Sequence, residues 1–220
     1  MFDSSFFFHL FPIMFRYIDV TLGISLAALL LALLIAVVIA AAYYLNIPGL
    51  KQVCAAWVSL FRGTPLLAQL FWLCYGLPQV IVPMQRVSVM TLIIWGVAFN
   101  ASSYMSETLR GALSSVSSAQ MEASLACGMT RMQGFWHIVF PQAVRVAVPG
   151  LSNNFVDIIK QSSLAFTLGV TEIMAVARME GSTNLKFLES FTAVMVVYWL
   201  IVTFFNYLQK LLEKWLSRMY

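Results

Sequence analysis

The fold is decided by residues 20–45, which read VTLGISLAALLLALLIAVVIAAAYYL. This stretch contains no charged side chain, and the charge-free run continues to residue 50, over 31 residues in all. About 20 apolar residues in a helix are enough to cross the ~30 Å hydrocarbon core of a bilayer. The run is much longer than the apolar part of a cleaved signal peptide, which has roughly 7–15 residues. It therefore predicts a membrane-spanning helix.

The rest of the chain has the same apolar character. Of its 220 residues, 61% are hydrophobic and only 10% are charged, whereas soluble domains carry about 45–50% apolar and about 25% charged residues. These proportions exclude an ordinary soluble enzyme, a disordered protein and a nucleic-acid-binding domain. The net charge of +4 is therefore attributed to membrane topology. Three cysteines without a CxxC pair and two histidines predict neither a disulfide scaffold nor a metal site.

Four further stretches have the length of a membrane span. Three of them are free of charge, and the fourth contains only Asp157 and Lys160; they are residues 63–85, 87–106, 190–209 and 146–170. No repeat or flexible linker divides the chain, so we predict one all-α transmembrane domain over residues 1–220 with five transmembrane helices. The predicted spans are residues 18–45, 57–81, 87–110, 148–171 and 189–212.

Lysine and arginine are distributed unequally between the two sides of this topology. If the N-terminus lies outside, eight of them fall on the inner side and four on the outer side. Inner loops of membrane proteins are enriched in these residues, so we predict that the N-terminus is outside and the C-terminus is in the cytoplasm. The inner set is Lys51, Arg62, Arg110, Arg131, Arg145, Lys210, Lys214 and Arg218, and the outer set is Arg16, Arg86, Arg178 and Lys186.

The loop over residues 111–147 is too polar to span and too long for a simple connection. A serine start and a closing glycine predict a short helix over residues 119–127, with Gly128 in a left-handed conformation. A second helical piece is expected over residues 131–139, ending at Pro141. Its exposed aromatic side chains predict a docking surface for another protein. The alternative is an amphipathic loop that lies flat in the lipid headgroups.

This loop resembles the cytoplasmic coupling loop of ABC-importer permeases. The family pattern is E-A-A, three residues, Gly, nine residues, Ile, one residue and Leu-Pro. Ser124 replaces the second alanine and Phe140 replaces the leucine, while the matching residues are Glu122, Ala123, Gly128, Ile138 and Pro141. Further stretches are similar to the polar-amino-acid branch of the family, namely residues 60–67 with Gln69, 107–111, 141–145 and 160–164.

The resemblance implies a type I ABC importer permease in the bacterial cytoplasmic (inner) membrane. It implies a cytoplasmic ABC ATPase dimer, a second permease chain that is identical or different, and a periplasmic or lipid-anchored solute-binding protein. The five matched residues would couple the chain to the ATPase, and Glu122 would either pair with a basic group there or cap its own helix. No G-x-x-x-x-G-K-[ST] loop occurs in the sequence, so ATP and Mg are expected on the partner ATPase rather than on this chain, which is not expected to be an enzyme.

Polar residues within the predicted spans are candidates for the substrate pathway. Charged groups at membrane depth cost roughly 2.5–3.5 kcal/mol each and therefore often have a function. Asp157 and Lys160 are equally compatible with a structural ion pair, because they lie three residues apart. The candidates are Gln69, Asn100, Tyr104, Glu107, Asn154, Asp157, Lys160 and Ser163.

The resemblance implies a polar amino acid as substrate. Residues 68–79 and 151–153 look most like those of cystine permeases, so L-cystine is the first expectation. Arginine, histidine and glutamine are the alternatives. An ATP-independent secondary transporter is the competing class, and it is disfavoured because such proteins usually have more spans or inverted repeats.

Overall fold

The computed structural model describes residues 2–217, which form helices and turns without a strand among them. Arg218, which the topology assigns to the inner side, lies outside the described residues. The α-helices of this part of the chain are α1 (Ser4–Phe15), α2 (Ile18–Tyr44), α3 (Leu50–Gly63), α4 (Leu66–Phe71), α5 (Leu77–Val80), α6 (Val89–Ser115), α7 (Ser118–Ala126), α8 (Arg131–Gly134), α9 (Phe140–Ser162), α10 (Ile173–Asn184) and α11 (Phe187–Ser217). Two π turns, Trp72–Gly76 and Phe135–Val139, join α4 to α5 and α8 to α9, and 3₁₀ turns cover Val82–Arg86 and Ser163–Leu168.

Three of the described helices are long and apolar enough to cross a membrane. They are α2, α6 and the part of α11 over Phe187–Leu216. Their positions agree with the first, third and fifth predicted spans. The all-helical membrane architecture is therefore confirmed for the described chain, whereas the number of five spans stays a prediction.

The second predicted span, residues 57–81, is not one straight helix. Its place is taken by Leu50–Gly63 and Leu66–Val80, whose axes meet at 109°. The break falls at Thr64, which is extended with φ −124° and ψ 148°, and at Pro65. Proline has no N–H to donate and disfavours helical geometry in the residue before it. The Thr-Pro pair therefore turns the chain within the apolar stretch.

Helix α9 takes the place of the fourth predicted span, residues 148–171, but it is not among the described helices that are long and apolar enough to cross a membrane. Helix α9 starts at Phe140, not at residue 148, and its last turn continues as the 3₁₀ turn Ser163–Leu168. The expectation that Pro141 ends a loop helix is wrong. Pro141 lies in the first turn of α9, where a missing N–H is tolerated. The π turn before it keeps α8 continuous with α9. The connecting loop is therefore shorter than the predicted residues 111–147.

The centre of the fold is formed by α2, α6 and α9. Ala28, Ala32 and Ala36 of α2 are fully buried and belong to the same apolar cluster as Val97 and Ala101 of α6. Small residues four positions apart let two helices approach closely in a membrane. This packing leaves the polar side of α9 at the edge of a tightly packed core.

A second apolar cluster joins α1, α10 and α11, which the sequence patterns did not predict as a unit. Leu10 and Met14 of α1 are fully buried against Ile173 and Val197. The N-terminal end of α1 is tied to the start of α11, because Lys186 Nζ lies 2.7 Å from Asp3 Oδ2. This hydrogen bond from Lys186 is the main reason that the pKa of Asp3 lies below its ordinary value.

Candidate functional site

The predicted coupling helix is present as α7, shifted by one residue from the expected range. Ser117 precedes it, and its hydroxyl accepts a hydrogen bond from the Ala119 N–H at 3.3 Å. At the other end Gly128 has φ +85°, which confirms the predicted left-handed conformation. The Gly128 N–H donates to Leu125 O at 2.9 Å and the Met129 N–H donates to Ser124 O at 3.1 Å. These two bonds are the Schellman pattern, which ends a helix sharply.

One side of α7 is open to a partner. Glu122 and Ala123 are exposed. Within residues 2–217 the Glu122 carboxylate makes no hydrogen bond or ion pair, so the alternative that it caps its own helix is not observed. The side chain is therefore available for a contact outside the described chain.

The opposite side of α7 packs on α8 through a contact that sequence reasoning missed. Ser124 is only 5% exposed. A Cβ atom built on Gly134 would overlap the Ser124 hydroxyl and would lie 3.0 Å from Met121 Sδ. A residue with a side chain would thus separate the two short helices. The only sequence signal for this contact is a glycine within an otherwise helical pattern.

The remaining coupling candidates lie elsewhere in the loop. Ile138 is half-buried in the π turn, and its carbonyl accepts a hydrogen bond from Gln142 Nε2 at 2.7 Å. Pro141 is half-buried in the first turn of α9. The five candidates therefore do not form one surface: Glu122, Ala123 and Gly128 belong to α7 and its end, whereas the other two shape the entry into α9.

Gln69 and Asn100 lie together at the bend between α3 and α4. Asn100 Nδ2 donates to Gln69 Oε1 at 3.0 Å and to Phe61 O at 2.9 Å. Gln69 Nε2 in turn donates to Phe61 O and Thr64 O, both at 3.0 Å. These carbonyls belong to the broken end of α3, where the helix supplies no partner. The two amides therefore stabilise the bend, and a contact with substrate stays a prediction for both.

Tyr104 and Glu107 form a cluster with two arginines of the family motifs. Arg110 Nη2 lies 2.5 Å from Glu107 Oε2, and Arg62 Nη1 lies 3.9 Å from the same oxygen. The Arg62 guanidinium also lies 5.3 Å from the centre of the Tyr104 ring. This cluster connects α3 to α6, so the two motifs that contain Arg62 and Glu107 meet in space.

The polar residues of α9 run along one exposed side of the helix. Asn154 Oδ1 accepts a hydrogen bond from Thr108 of α6 at 3.1 Å. Asp157 and Lys160 pair with each other at 2.6 Å, yet their side chains remain 53% and 57% exposed. Ser163 Oγ donates to the Lys160 carbonyl at 2.7 Å. The ion pair therefore joins two residues of one helix and does not attach α9 to a neighbour within residues 2–217.

Glu172 is a buried acidic residue that the candidate set did not include. It is fully buried at the start of α10 and accepts hydrogen bonds from the Met174 and Ala175 N–H groups and from the Tyr198 hydroxyl, all at 2.9 Å. Burial raises the pKa of Glu172 above its ordinary value, although these three bonds act in the opposite direction. The residue caps α10 and connects it to α11.

The chain matches the profile of one protein family over almost its whole length. The family is the binding-protein-dependent transport system inner membrane component, and the match covers residues 13–218.

Residues 2–217 contain no group of three His, Cys, Asp or Glu side chains that could hold a metal ion.

Similar proteins cover the chain from end to end. A probable amino-acid ABC transporter permease protein of Vibrio harveyi is 41% identical over 219 residues, which are 100% of this chain and 98% of that protein. An L-cystine transport system permease protein of Bacillus subtilis is 31% identical over 208 residues, 94% of this chain and 88% of that protein. The crystal structure of an amino acid ABC transporter with histidines superposes with a TM-score of 0.89 at 25% identity, covering 97% of this chain and 99% of the other.

Proposed function

Since the chain belongs to the family of binding-protein-dependent transport system inner membrane components and is an amino-acid ABC importer permease, we propose that it forms the pathway for a polar amino acid, with L-cystine as the substrate, and that a separate ATPase drives it. The transport step would be alternating access. ATP binding would close the ATPase dimer, the loop helices would follow, and the spans would open outward until hydrolysis resets them.

The observation that carries the pathway proposal is the exposed ion pair of α9. Asp157 and Lys160 are more than half exposed although they lie within the fourth predicted span. Charges that face lipid at this depth cost roughly 2.5–3.5 kcal/mol each. The face is therefore expected to border water or another chain, as it would beside a pathway between two permease subunits. A second permease chain, identical or different, would complete that pathway.

A pathway lined by both charges suits an amino acid, since its carboxylate and ammonium groups find a partner of opposite sign. L-cystine carries two of each group, and the 31% identical relative is named for its transport. Asn154 adds an amide beside the pair, held by Thr108. Arginine, histidine and glutamine are the alternatives with similar backbone groups.

The proposal for coupling rests on the exposed side of α7. Glu122 points away from the chain without a partner within residues 2–217, and the Schellman turn at Gly128 fixes the end of the helix. A short rigid helix with one free acidic group suits a groove on an ATPase that carries a basic residue. ATP and Mg would be bound there and not on this chain. On the opposite membrane surface, where we place the N-terminus, a solute-binding protein would deliver substrate.

The substrate is tested by uptake into proteoliposomes that contain the complete importer and its binding protein. Labelled L-cystine should accumulate when ATP is enclosed, and an excess of unlabelled arginine, histidine or glutamine should leave its uptake unchanged. Accumulation of one of these three without accumulation of cystine would contradict the substrate and leave the importer assignment intact.

A further inference from the structure

Three large apolar side chains lie exposed along α8 and the π turn that follows it. Met132 is 66% exposed, Trp136 is 53% exposed and Phe140 is 39% exposed. Their spacing of four residues places them on one side of the helix. The rings of Trp136 and Phe140 are in contact, with centroids 4.9 Å apart. We call these three residues the apolar stripe.

The apolar stripe faces away from α7. Gly134 of α8 packs on α7, against Ser124 and Met121. Successive residues of a helix are about 100° apart, so positions two residues before and two residues after Gly134 lie about 200° around the axis. Met132 and Trp136 occupy those positions. A partner that binds the exposed side of α7 would therefore not cover the stripe by the same contact.

The position of the stripe relative to the bilayer follows from α2. This helix has 27 residues, which at 1.5 Å per residue give about 40 Å, close to the full bilayer thickness with its headgroups. Its last residue, Tyr44, therefore lies among the headgroups. The Tyr44 ring is 5.1 Å from the Phe135 ring, which is 5.4 Å from Trp136. The stripe thus lies at the depth of the headgroups.

The chemistry of the surrounding residues suits that depth. Trp and Tyr rings are enriched at membrane interfaces, with Lys and Arg on the cytoplasmic side. Arg131 is exposed directly before Met132, and Lys51 Nζ lies 5.9 Å from the ring of Tyr43, the neighbour of Tyr44. Both cations can reach lipid phosphates.

We propose that the apolar stripe of Met132, Trp136 and Phe140 inserts into the headgroup region of the cytoplasmic leaflet and holds α7 at a fixed depth below it. The loop then has two surfaces with different partners. One side of the α7–α8 pair binds the bilayer and the other remains open to a protein. This proposal depends on the membrane topology and stands whether or not an ATPase docks on α7.

The test places one spin label on the apolar stripe and one at an exposed position of α7, in chains reconstituted into nanodiscs of phosphatidylethanolamine and phosphatidylglycerol. Cys127→Ser removes the exposed thiol, while Cys54 and Cys74 are buried. Met132→Cys then labels the stripe and Gln120→Cys, at an exposed position of α7, is the matched control. Relaxation by oxygen, which concentrates in lipid, is compared with relaxation by a water-soluble nickel chelate.

We expect the label at position 132 to respond more to oxygen than to nickel, and the label at position 120 to respond in the opposite order. Equal access of nickel to both labels would overturn the proposal. Protection of position 132 from nickel only after the ATPase is added would also overturn it, because the stripe would then be a protein contact.

A second measurement leaves the Met132 side chain in place. Lipids brominated near the glycerol backbone quench nearby tryptophan, and Trp136→Phe should remove a measurable part of the total quenching. If the fluorescence difference between the wild-type chain and the Trp136→Phe chain is the same in brominated and in ordinary lipid, Trp136 does not lie in the bilayer and the proposal fails.

Discussion

Gly134 of α8 lies so close to Ser124 of α7 that a single added methyl group would overlap the serine hydroxyl. This contact sets the angle between α8 and α7, the helix that carries the first part of the coupling motif. It also divides the loop into the side that holds Glu122 and the side that holds the apolar stripe. We therefore expect coupling to depend on a glycine outside the recognised motif.

The contact predicts that Gly134→Ala uncouples transport. Overpacking of this kind costs about 1–3 kcal/mol and would push α7 away from α8. We expect ATP hydrolysis to continue while substrate uptake per ATP falls in proteoliposomes. Gly111→Ala is the matched control, because no atom lies within 4 Å of a Cβ at that helical glycine, and it should leave coupling unchanged. Adding Ser124→Ala to Gly134→Ala should restore part of the loss; equal coupling in all chains would contradict this account.

We expect the effect of a substitution at Gly128 to depend on backbone conformation rather than on side-chain size. Its φ is +85°, where an L-residue costs about 1–2 kcal/mol. Gly128→Ala and Gly128→Leu should therefore both lower uptake per ATP. Asparagine tolerates this conformation better, so Gly128→Asn should lose less than Gly128→Ala despite its larger side chain. Normal uptake by the Gly128→Leu chain would show that the turn is not needed for coupling.

The ion pair of α9 can be tested by a double-mutant cycle. Asp157→Asn or Lys160→Gln leaves one unpaired charge at membrane depth, and we expect uptake to fall by about tenfold, equivalent to about 1.4 kcal/mol. In the double variant no unpaired charge remains, so membrane insertion should recover. Uptake should stay low if both groups line the pathway. Recovery of uptake in the double variant would mean that the residues serve only to neutralise each other.

The raised pKa of Glu172 predicts that the free energy of unfolding depends on pH. Burial raises its pKa above the ordinary value of 4.5, so the folded chain binds this proton more tightly than the unfolded chain does. Stability is then greatest below the ordinary value and falls as the pH rises through the raised value. Glu172→Gln should flatten this slope in thermal unfolding followed by tryptophan fluorescence. Glu180→Gln on the same helix is the control, and identical slopes in all three chains would contradict the prediction.

Local patterns predicted the parts of this fold that local physics decides. The apolar run predicted the first span to within one residue of the end of α2. A glycine that follows helix-forming residues predicted the left-handed turn at Gly128. The three-residue spacing of Asp157 and Lys160 predicted that they can form an ion pair. Each of these features needs only neighbours within one or two helical turns.

The parts that were missed depend on contacts between distant residues. The bend at Thr64 and Pro65 is stabilised by Gln69 and Asn100, which bind the free carbonyl of Phe61. Helix α1 is too short and too apolar for its place to follow from periodicity, and it packs on α10 and α11. The close contact of Gly134 with Ser124 does not follow from helical periodicity, because only the folded chain brings the two residues together.

We propose that this chain is an importer subunit that works only with a separate ATPase. The most direct measurement is amino-acid uptake by proteoliposomes that contain the chain and the binding protein, with and without the ATPase subunit, and with ATP or a non-hydrolysable analogue. The account predicts accumulation only when ATPase and ATP are both present. Accumulation without the ATPase would contradict it.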